Sequence, residues 1–90
     1  MILKGRLYRI MTEDLNRQAV LSEVSKSFEG FTVREALGYW RGTPEASITI
    51  EIITDDKPGV LRVAEAIRVL NHQESVLVDC VKDDAELVGM

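Results

Sequence analysis

Histidine and cysteine are nearly missing from this chain, which has one of each, His72 and Cys80, in 90 residues. A lone cysteine excludes an intramolecular disulfide, and one cysteine with one histidine cannot supply the four ligands of a structural zinc site. No stretch approaches the roughly 20 apolar residues of a membrane-spanning helix. The N-terminal residues lack the basic segment and apolar run of a secretory signal. Glycine-rich phosphate loops, dinucleotide-binding fingerprints and nucleophile elbows are also lacking. These absences point to a reducing, cytoplasmic setting and to a role that needs neither metal nor cofactor.

What is present describes an ordinary globular domain, with 46% hydrophobic and 29% charged residues. A chain this short supports one core, read here as a single domain over residues 1–82 with 83–90 as a tail. Such a core is modest, so self-association is expected. The net charge of -4 excludes a general nucleic-acid binder, which needs a concentrated basic face. Positive charge does gather locally: Lys4, Arg6 and Arg9 crowd one segment, and Arg34 and Arg41 flank another.

Apolar periodicity divides the chain into six elements. Leu3 to Met11 carries Leu3, Leu7 and Met11 on one side and Ile2, Tyr8 and Ile10 on the other, a strand covered at least partly on both faces. Thr12, Glu13 and Asp14 have the composition of a helix start, and Leu15, Ala19, Val20, Val24 and Phe28 continue it towards Gly30. Phe31 to Trp40 is a second extended run in which Gly38 signals a bulge or a close backbone approach. Arg41-Gly42-Thr43-Pro44 is a turn. Ala46, Ile48, Ile50 and Ile52 then alternate with Ser47, Thr49 and Glu51, so a hairpin is expected. A second helix begins after Asp55 or Asp56 with Pro58 in its first turn and a stripe of Val60, Val63, Ala64, Ile67 and Leu70. Ser75 to Val81 supplies the last strand.

The order β-α-β-β-α-β defines an α+β, ferredoxin-like sandwich, a four-stranded antiparallel sheet with two helices on one face. The other face has no cover within the chain, and an apolar patch of that size calls for a second copy. A homo-oligomer is therefore expected.

Thr54 to Leu61 resembles the D-x-P-G-V-L helix entrance of ACT domains, which implies an amino-acid sensor; here, however, the segment follows the third strand instead of the first. Gly30-Phe31-Thr32, Gly38-Tyr39-Trp40, Glu45-Ala46-Ser47 with Ile48, and Gln73-Glu74-Ser75-Val76 resemble the layout of a family of small bacterial and phage proteins without an assigned function. That resemblance implies the fold, and a phage origin would imply sequestering of a host-defence signal. In topology the chain is similar to PII and CutA proteins, and the former resemblance implies nucleotides held between subunits, although their long loop has no counterpart here.

Candidate ligand-binding residues follow from chemistry. Tyr39 and Trp40, bracketed by Arg34 and Arg41, offer aromatic faces for a ring and guanidinium groups for anionic oxygens. Arg6 and Tyr8 join them if the first strand turns those side chains to the same sheet face. At the second helix Gly59 would let an anion approach free backbone N–H groups, in competition with capping by Asp55 and Asp56. Trp40 also suits an interface anchor. With Asn71 and Trp40, His72 resembles by residue type the set used by cofactor-free monooxygenases; its bland role is to serve the helix dipole. Cys80 reads as a buried small hydrophobe, and Glu51, Glu65 and Glu74 as solvated or paired carboxylates. The residues favour binding over catalysis. The expectation is a homo-oligomer holding a small anionic ligand of nucleotide type; the alternative is a protein-binding regulator acting through the open sheet face.

Overall fold

The computed structural model describes the backbone of residues 2–88 and the side chains of residues 5–81. Strand β1 (Ile2–Glu13) leads to helix α1 (Arg17–Ser25), strands β2 (Thr32–Trp40) and β3 (Thr43–Thr54), helix α2 (Lys57–Leu70) and strand β4 (Leu77–Val88). The sheet order is β2-β3-β1-β4, and every neighbouring pair is antiparallel. This is the ferredoxin-like arrangement that the element order implied. Backbone residues 83–88, expected as a tail, continue β4 and pair with the start of β1.

Parity along β3 sets the layers. Ile48, Ile50 and Ile52 have no exposed surface, and their register partners Thr12, Ile10 and Tyr8 point the same way. Val20 and Val24 of α1 and Val60, Val63, Ala64 and Ile67 of α2 complete this core. Each fully buried isoleucine is worth about 1.5–3 kcal/mol of transfer free energy, so the isoleucine row fixes which face carries the helices.

Helix α2 starts as its sequence demands. The Asp56 carboxylate accepts the Gly59 N–H at 2.9 Å, Pro58 occupies the first turn, and Asn71 ends the helix with its N–H on the Ile67 carbonyl. Helix α1 departs from expectation at both ends. Thr12 belongs to β1, because its side chain continues the inward series of Tyr8 and Ile10 and is itself buried. The helix begins after Asn16 and ends at Ser25, before Gly30.

The β2–β3 connection is a two-residue turn in which Arg41 (φ 51°) and Gly42 (φ 80°) are both left-handed, the geometry that matches strand twist in a tight hairpin. It pairs Trp40 with Thr43 and carries β3 further back than its alternating core. Pro44 lies in this extension, beyond the end of β1, where no strand on that side needs its missing N–H.

Candidate functional site

Where β1 and β2 end and β3 and β4 begin, the sheet borders a groove of about 640 Å³. Its walls are the hairpin end, from Ala36 to Arg41 with Glu45, Ser47 and Thr49, and the segment between α2 and β4, from Asn71 to Ser75. Met11, Thr12, Glu13, Leu15 and Leu77 close the remaining side. Three of the segments noted for their resemblance, Gly38–Trp40, Glu45–Ser47 and the stretch beginning at Gln73, thus meet at one place.

Register decides what each side chain offers. Trp40 is opposite Thr43 and Tyr39 opposite Pro44, so the two aromatic residues leave β2 on opposite faces of the sheet. Trp40 shares the open face with Gly38, Glu45, Ser47 and Glu13, whereas Tyr39 lies on the helix side with Leu37. Both aromatic side chains are more than half exposed. The Arg41 guanidinium lies 5.4 Å from the centre of the Trp40 ring, a cation–π contact that holds the cation at the rim of the groove. Gly38 has a side-chain-free surface facing Glu45, and a Cβ there would lie 2.8 Å from Ser47 Oγ.

The opposite wall is held by buried polar groups. Thr12 donates to Gln73 Oε1 at 2.5 Å, and Asn71 Nδ2 donates to Thr12 Oγ1 at 3.2 Å. Asn71 also reaches the Glu13 carbonyl and accepts from Asn16. These bonds tie the α2–β4 segment to the end of β1 and to the start of α1. His72, in left-handed conformation with φ 54°, follows directly. Asn71, His72 and Trp40 therefore border the same groove, but Asn71 is 4% exposed and committed to this network.

Four of the seven anticipated ligand residues lie elsewhere. Tyr8 is a core residue, 3% exposed, and Arg6 shares its helix-facing side of β1; one register parity separates them from the open face. Arg34 is on the open face, yet its guanidinium pairs with Glu51 at 3.0 Å. Gly59 is buried against Asp56, whose carboxylate occupies the space that a ligand would need. The groove retains Tyr39, Trp40 and Arg41. Cys80 is exposed instead of buried, because β4 is an edge strand.

Elsewhere on the open face Arg9 grips Asp79 through Nε and Nη2, at 3.1 and 2.7 Å. This hydrogen-bonded guanidinium holds the Asp79 carboxyl below its ordinary range. Arg17 does the same for Asp14 and also reaches Glu35 of β2. A second depression, about 860 Å³, lies on the outer surface of the two helices along Pro58, Leu61, Ala66 and Val69. Its charged rim residues Glu23, Arg62 and Glu65 are engaged by Lys26, Asp56 and Arg68. Convergent polar and aromatic groups single out the sheet-end groove as the better ligand site.

No family model and no curated protein matches the chain. Solved structures do. A nitrogen regulatory PII-like protein from Thiomonas intermedia K12, bound to ADP, AMP and bicarbonate, is 14% identical with a TM-score of 0.67 over 100% of this chain and 99% of its own. A PII-like signalling protein from Thermus thermophilus is 20% identical with a TM-score of 0.64, covering 97% and 91%. A phage SAM lyase is 18% identical with a TM-score of 0.63, covering 96% and 90%. At these identities the likeness establishes the shared fold.

Proposed function

We propose that the protein is a non-enzymatic homo-oligomer that binds a small anionic ligand of nucleotide class in the sheet-end groove. The observation that carries this reading is the meeting of Trp40, with Arg41 stacked beside it, and the anchored α2–β4 segment around one cavity. Trp40 provides a face for a ring, Arg41 a guanidinium for an anionic oxygen, and Tyr39 a second aromatic rim. The fold neighbours add support, since the Thiomonas protein holds ADP and AMP on the same architecture. A binder of this kind acts by sensing or sequestering its ligand.

Trp40 is the sole tryptophan, so its fluorescence reports the site directly. Titration with adenine nucleotides should change Trp40 emission with saturation, and calorimetry should give the same affinity. Trp40→Ala should weaken binding by about 1–3 kcal/mol, the usual worth of one aromatic–base stack. Folded protein that binds no member of a nucleotide panel would sink the proposal. A second reading, docking of a protein partner on the open face, draws on the exposure of Leu77 at the groove and of Val81 further along β4. A stoichiometric partner lost in Trp40→Ala, with nucleotides inert, would favour it.

A further inference from the structure

We infer that the ligand carries a positively charged group besides its anionic one, and that Glu45 selects for it. The inference rests on the binding role proposed for the groove and specifies the chemistry of its occupant. Among the described residues, carboxylates elsewhere on the open face are matched: Glu51 pairs with Arg34 and Asp79 with Arg9. Glu13, Glu45 and Glu74 differ. Among the described residues their carboxylates have no hydrogen-bond or ion-pair partner, the bonds of Glu13 and Glu45 being made by their main-chain carbonyls. All three line the groove, and among the described residues Arg41 is the one arginine or lysine in its lining. The lining thus holds an excess of negative charge that no protein cation balances.

Glu45 has the most favourable position. It pairs with Gly38 across the hairpin, one diagonal step from Trp40 on the same face, a separation of about 7–8 Å between backbones. Gly38 puts no side chain of its own between them, and the Ser47 hydroxyl lies against it on that face. An ammonium or sulfonium group placed there, beside a ring stacked on Trp40, meets the Glu45 carboxylate, a charge-assisted ion pair that a neutral or anionic group cannot make. A phosphate in the same place would face Glu45 at close range and be repelled. Glu13 lies one strand further along the same face, opposite Ser47, and adds to the negative field. The occupant is therefore a zwitterionic nucleoside, with its ring on Trp40, an acidic group at Arg41 and a cationic group at Glu45.

The test compares AMP, which carries no such cation, with S-adenosylmethionine, which carries sulfonium, ammonium and carboxylate groups, by calorimetry on the wild type and on E45Q. The wild type should bind S-adenosylmethionine more tightly than AMP. In E45Q that affinity should fall about tenfold or more, as for loss of a charge-assisted contact, while AMP binding holds or strengthens. E13Q should show the same trend in smaller measure and serves if E45Q loses its native circular dichroism. Tighter binding of AMP than of S-adenosylmethionine by the wild type, or an E45Q affinity for the latter within about twofold of wild type, overturns the inference and leaves the binding role standing. Binding of neither probe overturns the inference, and the nucleotide panel then decides whether the binding role falls with it.

Discussion

Asp56 illustrates how one side chain settles between two roles. A helix N-terminus with Pro58 and Gly59 has the chemistry of an anion site, yet Asp56 Oδ1 already takes the Gly59 N–H. The carboxylate is a cap, and Gly59 is required because a Cβ would overlap it. Asp56→Ala should lower the stability by about 1 kcal/mol, read as a shift in urea midpoint, and leave ligand affinity at the groove unchanged. Asp79 carries a pH dependence. Its folded pKa lies below the ordinary carboxylate value, so its pairing with Arg9 contributes stability that is fully present above the unfolded pKa of about 3.9. That contribution is lost as the pH falls through the lower folded value. Asp79→Asn should therefore destabilise at pH 7 but converge with wild type in urea midpoint as the pH drops below the carboxylate range. Both partners are more than a third exposed, so the difference should be small and shrink further in high salt.

Among the elements, the α2–β4 segment depends most on a single remote contact. Thr12 is 3% exposed and links Gln73 to Asn71 across the end of β1. Thr12→Val keeps the shape but leaves those partners short of bonds, and should cost about 1–3 kcal/mol. Hydrogen exchange at residues 71–75 should rise in the same variant, and ligand affinity should fall because that segment is one wall of the groove. The sequence explains why this contact was hard to foresee. Thr12-Glu13-Asp14 has the composition of a helix start, and nothing local distinguishes it from a strand end that turns inward. By contrast, the β3 isoleucines and the Asp56-Lys57-Pro58-Gly59 entrance are written in local pattern and appear as read, and the hairpin forms with a shorter turn, because Thr43 and Pro44, expected in the turn, belong to β3. Strand β1 was ambiguous because apolar residues occupy both of its faces, and a one-residue change of parity exchanges Arg6 and Tyr8 with Leu7 and Arg9. Parity also carried a signal left unused. With Ile48, Ile50 and Ile52 inward and a two-residue turn, Trp40 and Glu45 must share the outer face, and that places a carboxylate beside the aromatic candidate.

For the whole molecule, the balance of the two sheet faces decides between monomer and assembly. Ninety residues bury a limited fraction of their surface, and here that core lies wholly between the sheet and its helices. On the outer face Leu77 is 62% and Trp40 56% exposed, with Val81 at 46%, while Leu7, Met11 and Ile53 are half-buried between the Arg9–Asp79 and Arg34–Glu51 pairs. A face with apolar residues between neutralised charges suits contact with a second copy of itself, since neither sign is left in excess there. Among the described residues, the carboxylates left unbalanced on this face lie in the groove at its end. Self-association would then bury the sheet face and leave the groove at the edge of the contact, where Leu77 belongs to both. Native mass spectrometry on gently purified protein should show a whole-number multiple of the 10.1 kDa chain, with extra mass for each occupied groove. Leu77→Glu should shift the spectrum to the monomer by setting a charge against the buried contact, and the retained mass should disappear with it if the groove is completed by the neighbour. A wild-type monomer at micromolar concentration would refute the assembly; a Leu77→Glu monomer that still carries ligand would confine the site to one chain.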